Sequence, residues 1–275
     1  MLLPAYSIAK PFTVAGLLAA GVRLEDSIGN YVDCPISMRS LRVDALMRHR
    51  SGLPDYGGWT DYRTAVANRE DAWPDEAMLA RTAGLIQEPG EFRYSNIGYM
   101  LLRQALQQLT STTDLFSALN TVVFPALDMH DVAPLNTRAD WARAMGSHVA
   151  DVAQYDPRWV YTGTFLASPE ALETGLRNLL QGRLFDPEPM LQSIAVDAPG
   201  HVLQKPGYAL GVMTSGMPPR FVGHGGGGPG FTLVALATSD GAKAAVEWAN
   251  DEVSDQPLFA AALARLRRDE TQPQR

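Results

Sequence analysis

Ser7-Ile8-Ala9-Lys10 opens the stretch on which the reading of this chain turns. From Ile8 to Ala20 apolar residues recur at helical spacing and stop at Gly21, a residue suited to the position just past a helix end. Pro11 would forfeit a backbone bond deep inside a helix, so the helix is expected to begin within about a turn of Ser7. The serine then sits at a helix N-terminus, where developing negative charge is favoured. Ser7 and Lys10, three residues apart, share a helical face with Cβ atoms about 5 to 6 Å apart. A serine hydroxyl is a poor nucleophile at neutral pH. A neighbouring amine accepts its proton if burial or nearby positive charge lowers the amine pKa. By itself such a pair is as readily an incidental surface feature. With three lysines and fourteen serines in the chain, roughly 0.15 such spacings are expected by chance, and no other serine has a lysine three residues on.

Two further groups carry chemistry. Tyr94-Ser95-Asn96 offers a phenol able to relay protons and an amide able to hold a lysine with one end and a substrate carbonyl with the other. Alone it is weak, because a loop tyrosine more often bonds to backbone. His224-Gly225-Gly226 ends an expected strand with a polarisable group and then backbone bare enough for a ligand to approach. A Gly-rich hairpin would look the same. Pro229-Gly230 follows where a phosphate loop needs Lys and Ser or Thr, which removes that reading.

Around these groups the chain changes character once. After Leu24-Glu25-Asp26 come turns, a short helix over 41–50 closed by Ser51-Gly52-Leu53-Pro54, and a Gly- and Tyr-rich loop. Pro74-Asp75-Glu76 opens a helix with acids in its first turn, and Glu88-Pro89-Gly90-Glu91 is a turn. Helices are expected at about 97–109 and 114–122, and the stretch 125–165 has no decisive pattern. Ser168-Pro169-Glu170 caps a helix running to Gly182. Residues 207–214, 220–224, 231–238 and 242–250 are β-rich runs of an expected antiparallel sheet. Pro257 to Arg268 reads as an amphipathic helix, and Asp269 to Arg275 as a polar tail expected to fray. No internal repeat is present.

Bulk properties exclude several classes. A chain of 275 residues, 46% hydrophobic and 19% charged, has the composition of a globular protein. Its net charge of −7 offers no footprint for a phosphate backbone, so nucleic acid is discounted. Cys34 is the only cysteine, which rules out an internal disulfide and a Cys-based metal site. Histidines stand at 49, 130, 148, 201 and 224 without metal-ligand spacing, and neither a metal nor any other cofactor is expected. No stretch approaches the roughly 18 apolar residues of a membrane span. Met1 to Lys10 lacks the features of a signal peptide, which, if Met1 is the true start, places the chain in the cytoplasm.

Taken in this order on helix, loop and strand, the three groups resemble the serine β-lactamase and penicillin-binding-protein superfamily. The likeness is to its class C-like branch of β-lactamases, D-alanyl carboxypeptidases, D-amino-acid peptidases and family VIII-type esterases, whose second motif is Y-x-N. Arg48-His49-Arg50-Ser51-Gly52-Leu53-Pro54 resembles that branch's H-x-S-G-L-P segment. Glu88-Pro89-Gly90 resembles its P-G turn, Thr162 to Ser168 the stretch before a late helix, and His224 to Phe231 its H-G-G-x-x-G-F ending.

The resemblance implies an α/β (α+β) fold of β-lactamase/transpeptidase type: an antiparallel sheet flanked by helices, with a mostly helical lobe. It implies a single catalytic domain over 1–275, the helical lobe at about 22–195 lying between nucleophile helix and C-terminal sheet. Carried onto this chain, it makes Ser7 the nucleophile, Lys10 its base or base partner, and Tyr94 the proton relay. Asn96, His224, Gly226 and Gly227 become substrate-binding residues, with the N–H groups of Ser7 and Gly227 forming the oxyanion hole. His224 stands where β-lactamases generally carry a lysine for the substrate carboxylate, and a neutral histidine weakens that attraction. The expectation is therefore a cofactor-free serine hydrolase of small acyl esters or amides, an esterase or peptidase before an efficient β-lactamase. Its partners would be a small acyl substrate and, in a homo-oligomer, further copies of itself.

The family places a helix and some strands before the nucleophile helix, and only six residues precede Ser7. Their loss would leave the sheet with an open edge and would remove any evidence for export, which keeps a periplasmic or secreted location open. It also motivates the alternative of a catalytically silent homologue acting as a binding or scaffold protein.

Overall fold

The structure, a computed structural model, describes residues 1–144 and 152–268. In chain order it contains β1 (Leu3–Pro4), α1 (Ala9–Ala19), α2 (Val43–Met47), α3 (Thr60–Ala67), α4 (Asp75–Thr82), α5 (Asn96–Thr110) and α6 (Leu115–Val122). There follow β2 (Val132–Pro134), β3 (Phe165–Ala167), α7 (Pro169–Leu180), α8 (Glu188–Leu191) and the strands β4 (Ile194–Ala195), β5 (Pro206–Tyr208), β6 (Met213–Ser215), β7 (Phe221–Gly228), β8 (Phe231–Thr238) and β9 (Ala244–Ala249). Helix α9 (Gln256–Arg268) closes the described chain. The polar tail Asp269 to Arg275 and His148 lie outside the described residues.

Strands β4 to β9 form one antiparallel sheet in sequence order. Strand β8 shows why it sits in the middle of the protein. Leu233, Ala235 and Ala237 join the main core on one face, while Val234 and Leu236 pack with Phe259, Ala262, Leu263 and Leu266 of α9 on the other. With both faces covered, the strand reads as a nearly unbroken apolar run rather than an alternating one. The apolar stripe of α9 is buried by that contact, as its amphipathic pattern predicts.

Helix α1 is the central element, buried from Ala9 through Leu17. A helix apolar all round needs partners on every side. Gly16 lets Leu106 of α5 approach so closely that a Cβ there would lie 2.9 Å from the leucine side chain. The surrounding helices begin where local chemistry says they should. Ser95 Oγ accepts the Gly98 N–H at 3.2 Å to start α5, Asp114 Oδ1 accepts from Ser117 at 2.9 Å to start α6, and Ser168 Oγ accepts from Ala171 at 3.0 Å to start α7.

The pattern-based expectations need five corrections. The helix expected over 41–50 is confined to Val43–Met47, because His49 turns into a left-handed conformation with φ +56°. The Gly- and Tyr-rich loop contains α3, whose one fully buried residue, Ala65, leaves almost no periodic signal. The run 207–214 is two strands, β5 and β6, parted by a turn at Gly211 with φ +76°. The run expected over 220–224 continues through Gly228 as β7, paired residue for residue with β8. A three-stranded sheet, β1-β3-β2, ties Leu3 and Pro4 to Phe165–Ala167 and had no sequence signal, its strands being two or three residues long.

Among the described residues β9 ends the strand order. Its middle is nonetheless satisfied by side chains: Val246 N–H donates to Glu173 Oε1 at 3.0 Å and Val246 O accepts from Arg265 at 3.3 Å. Glu173 and Arg265 are themselves paired at 2.7 Å. Such capping blunts a strand edge against further pairing.

Candidate active site

Ser7 lies on a 3-10 turn, Tyr6–Ile8, that leads into α1. The turn is anchored on all sides. Ala5 N–H donates to Phe165 O at 2.8 Å, Tyr6 N–H to Thr164 Oγ1 at 2.9 Å, and Tyr6 Oη to Pro229 O at 2.7 Å. These bonds hold Tyr6 at φ +45°, a costly value for a bulky side chain, and such strain persists only where the surroundings over-determine it.

One turn on, Lys10 is 1% exposed. Its Nζ lies 2.7 Å from Ser7 Oγ and 2.9 Å from Asn96 Oδ1, with the rings of Tyr94 and Tyr99 at 4.9 and 5.3 Å. Burial lowers its pKa to about 7, against a smaller upward pull from Asp55. A good fraction of Lys10 is therefore a neutral amine at neutral pH, with N–H groups for Asn96 and a lone pair for the serine proton.

Tyr94 Oη is 2.9 Å from Ser7 Oγ, completing a cluster of hydroxyl, amine, phenol and amide. Burial pushes the Tyr94 phenol well above its ordinary value, so it is a neutral donor and acceptor and not a phenolate. Asn96 is the first residue of α5 and is positioned from below, its N–H donating to Asp55 Oδ1 at 2.9 Å. Because its Oδ1 faces Lys10, its amide NH2 is the end left for a ligand.

The opposite side is β7. His224, 3% exposed, lines the cleft with both ring nitrogens engaged: Nε2 with Tyr208 Oη at 3.0 Å and Nδ1 with Gly225 O at 2.5 Å. Burial, then the positive charge of Lys10, lower its pKa to about 3. Gly226 faces the Ser7 turn so closely that a Cβ would lie 2.7 Å from Ala5 O, whereas a Cβ on Gly227 would meet nothing within 4 Å.

Ser7, Tyr94, Asn96, His224, Gly226 and Gly227 all line one cleft of about 710 Å³. A smaller pocket of about 410 Å³ adjoins it at Ser7 and Gly227, walled by Tyr56, Tyr62 and Trp159. Every site residue read from the sequence is thus brought to one place, with Lys10 directly beneath. Three contributors had not been assigned roles: Asp55, His49 and Tyr208. Asp55 directly follows the Gly52-Leu53-Pro54 turn and His49 precedes it, so the segment gave a local signal. Tyr208 gave none. Among the described residues no group of three or more His, Cys, Asp or Glu could hold a metal, and no helix is long and apolar enough to cross a membrane.

Comparison with known proteins bears on the family and the fold. The family model described as Beta-lactamase matches residues 1–269. Penicillin-binding protein 4* of Bacillus subtilis (strain 168) is 24% identical over 279 residues, covering 90% of this chain and 60% of that protein. The chain therefore spans about 60% of the length of that curated relative. The structure of a D-stereospecific amidohydrolase from Streptomyces sp. is similar with a TM-score of 0.78 at 22% identity, covering 96% of this chain and 87% of the other. A D-amino acid amidase from Ochrobactrum anthropi SV3 gives a TM-score of 0.72 at 20% identity, over 98% and 85% of the two chains.

Proposed function

Given that the chain belongs to the Beta-lactamase family, we propose that it is a serine hydrolase that cleaves ester or amide bonds through an acyl-enzyme on Ser7. The observation that carries the reading is the Ser7, Lys10, Tyr94 and Asn96 cluster, with every contact at 2.7 to 2.9 Å. Neutral Lys10 accepts the Ser7 proton as Oγ attacks the acyl carbon. The N–H groups of Ser7 and Gly227 receive the oxyanion, a contribution of about 3 to 4 kcal/mol per donor where such donors have been removed. Tyr94 passes a proton to the departing alkoxide or amine and is reprotonated from Lys10, which restores the neutral amine. Water then repeats the sequence on the acyl-enzyme and releases the acid. Asn96 holds Lys10 with its oxygen and the acyl-side carbonyl with its NH2.

For the substrate we favour a neutral or amine-bearing acyl group over one that carries a carboxylate. Among the described residues lining the main cleft there is no lysine or arginine, while Asp197, Glu252 and Asp255 lie on its rim. His224 is neutral, with both nitrogens taken. Arg63 lines the adjoining pocket and donates to Gly58 O at 2.9 Å. An anionic substrate would meet repulsion without a fixed counter-charge. Simple esters and amino-acid amides fit this field better than penicillins or peptides with a free C-terminus.

The test is intact-protein mass spectrometry after exposure to a p-nitrophenyl short-chain ester, a D-amino-acid amide, a fluorophosphonate and a cephalosporin, with Ser7→Ala as control. Adducts on the wild type alone, with fast turnover of ester or amide and little reaction with cephalosporin, are the expected result. No labelling of a folded sample would refute the hydrolase reading in favour of a silent binding protein, and fast cephalosporin hydrolysis would overturn the substrate preference.

A further inference from the structure

A chain of four hydrogen bonds runs behind the catalytic cluster, and its polarity is fixed at both ends. The Ser95 backbone N–H can only donate, and it points at His49 Nδ1 at 3.1 Å. The Gly225 carbonyl can only accept, and it faces His224 Nδ1 at 2.5 Å. Between the two imidazoles lies the Tyr208 phenol, 3.1 Å from His49 Nε2 and 3.0 Å from His224 Nε2. If both rings are neutral, the first contact leaves the His49 proton on Nε2 and the last puts the His224 proton on Nδ1. Tyr208 must then accept from His49 and donate to His224. One arrangement of protons satisfies every group, and the members are buried, at 1%, 2% and 3% exposure for His49, Tyr208 and His224. A buried network in which every donor and acceptor is matched is rigid: a proton added to His224 would leave its Nε2 unable to accept from the Tyr208 hydroxyl, and one added to His49 would set its Nδ1 as a donor against the Ser95 N–H.

The ends of this chain are the two walls of the cleft. His49 brackets Tyr94: its carbonyl accepts the Arg93 N–H at 2.7 Å, its Nδ1 accepts the Ser95 N–H, and its ring lies 4.4 Å from the Tyr94 ring. It does so from a left-handed backbone, φ +56°. The far end is Gly225, two residues before Gly227. We infer that His49, Tyr208 and His224 are positioning residues that hold Tyr94 and the Gly225–Gly227 backbone at a fixed separation around Ser7, with the two histidines in opposite tautomers. This rests on the hydrolase reading of Ser7 and Tyr94 and goes beyond it in giving His224 a structural task through its partners.

The groups facing the two rings support their neutrality. His49 meets Lys10 of α1, Tyr94, Tyr99 of α5, Tyr208 of β5 and His224 of β7; His224 meets Lys10, Tyr94 and Tyr208. No carboxylate is among them. Burial first, and then the charge of Lys10, hold both imidazoles below their ordinary pKa.

Long-range proton–nitrogen spectra of histidine-labelled protein read the tautomers directly, with His49→Gln and His224→Gln used for assignment. The wild type is expected to show His49 as Nε2–H and His224 as Nδ1–H, neither titrating between about pH 5 and 8. Tyr208→Phe keeps the ring and removes the link. It should lose the fixed tautomer pair and lower kcat and the rate of Ser7 labelling about 10-fold, with KM within about twofold. Wild-type His224 found as Nε2–H, or either ring protonated at pH 6, would overturn the inference, whether or not the variant folds. So would a folded Tyr208→Phe protein with wild-type kcat and pH profile. A Ser7 that no probe labels, in a protein with the expected tautomers, would sink the hydrolase reading and leave the hydrogen-bond chain standing.

Discussion

The two walls of the cleft work by different means. On the helical side the groups facing Ser7 are side chains, Tyr94 and Asn96, and each is held by further side chains, His49 and Asp55. On the sheet side β7 ends in four glycines and presents backbone. Its contribution to the site is the absence of atoms, since a Cβ at Gly228 would lie 2.6 Å from the Tyr6 ring and one at Gly226 2.7 Å from Ala5 O. Deleting atoms should therefore damage the first wall, and adding them should damage the second. Lys10 lies at the seam and serves both, bonding to Asn96 while its charge adds to the burial that keeps the sheet-side histidine neutral.

The largest expected effect lies at the seam itself. Ser7→Ala should cut ester turnover by about 10³-fold or more and abolish the adduct; retained turnover would remove Ser7 from the mechanism and with it the meaning of the two walls. Lys10→Arg keeps the charge but cannot deprotonate, and should cost about 10² to 10⁴-fold. In the wild type kcat/KM should rise with pH through about 7, because Lys10 below that value is protonated and cannot accept the serine proton. A pH profile flat from about pH 5 to 9 would contradict the assignment of the base.

On the side-chain wall Tyr94→Phe removes one oxygen and should lower kcat about 10²-fold with little change in thermal stability. The backbone wall should behave in the opposite sense. Gly226→Ala drives a methyl into Ala5 O and should destabilise the protein by about 1 to 3 kcal/mol, whereas Gly227→Ala points into open space and should change KM without moving Tm. Equal melting temperatures for those two variants would break the contrast. The smallest effect is a shift only. Asp55 raises the Lys10 pKa, so Asp55→Asn should move the acid limb of kcat/KM to lower pH; a shift to higher pH would show that Asp55 does not act through Lys10.

Ser7 and Lys10 were legible in the sequence because three residues of helix bring them together whatever the rest of the chain does. Tyr94 and Asn96 were legible as a pair for a similar local reason, and β8 and α9 because burial imposes a period on the residues that carry it. The strand run ending in β7 was read only as far as His224, since glycine by itself punctuates. Only the Ala5 carbonyl and the Tyr6 ring, pressed against Gly226 and Gly228, explain why the strand should be stripped of side chains there.

The sequence by itself therefore determined the proposed nucleophile and the amine beside it, the order of the motifs and the helical and sheet-rich parts of the chain. Tertiary structure alone decided that Ser7 meets Tyr94 across 87 positions, that Lys10 is dry enough to be a base near neutral pH, and that His49 reaches Tyr208 across 159 positions. The physical reason is the same in each case. Spacing along a helix is a property of neighbours, whereas desolvation and a shared proton between distant side chains exist only once the chain has closed around them.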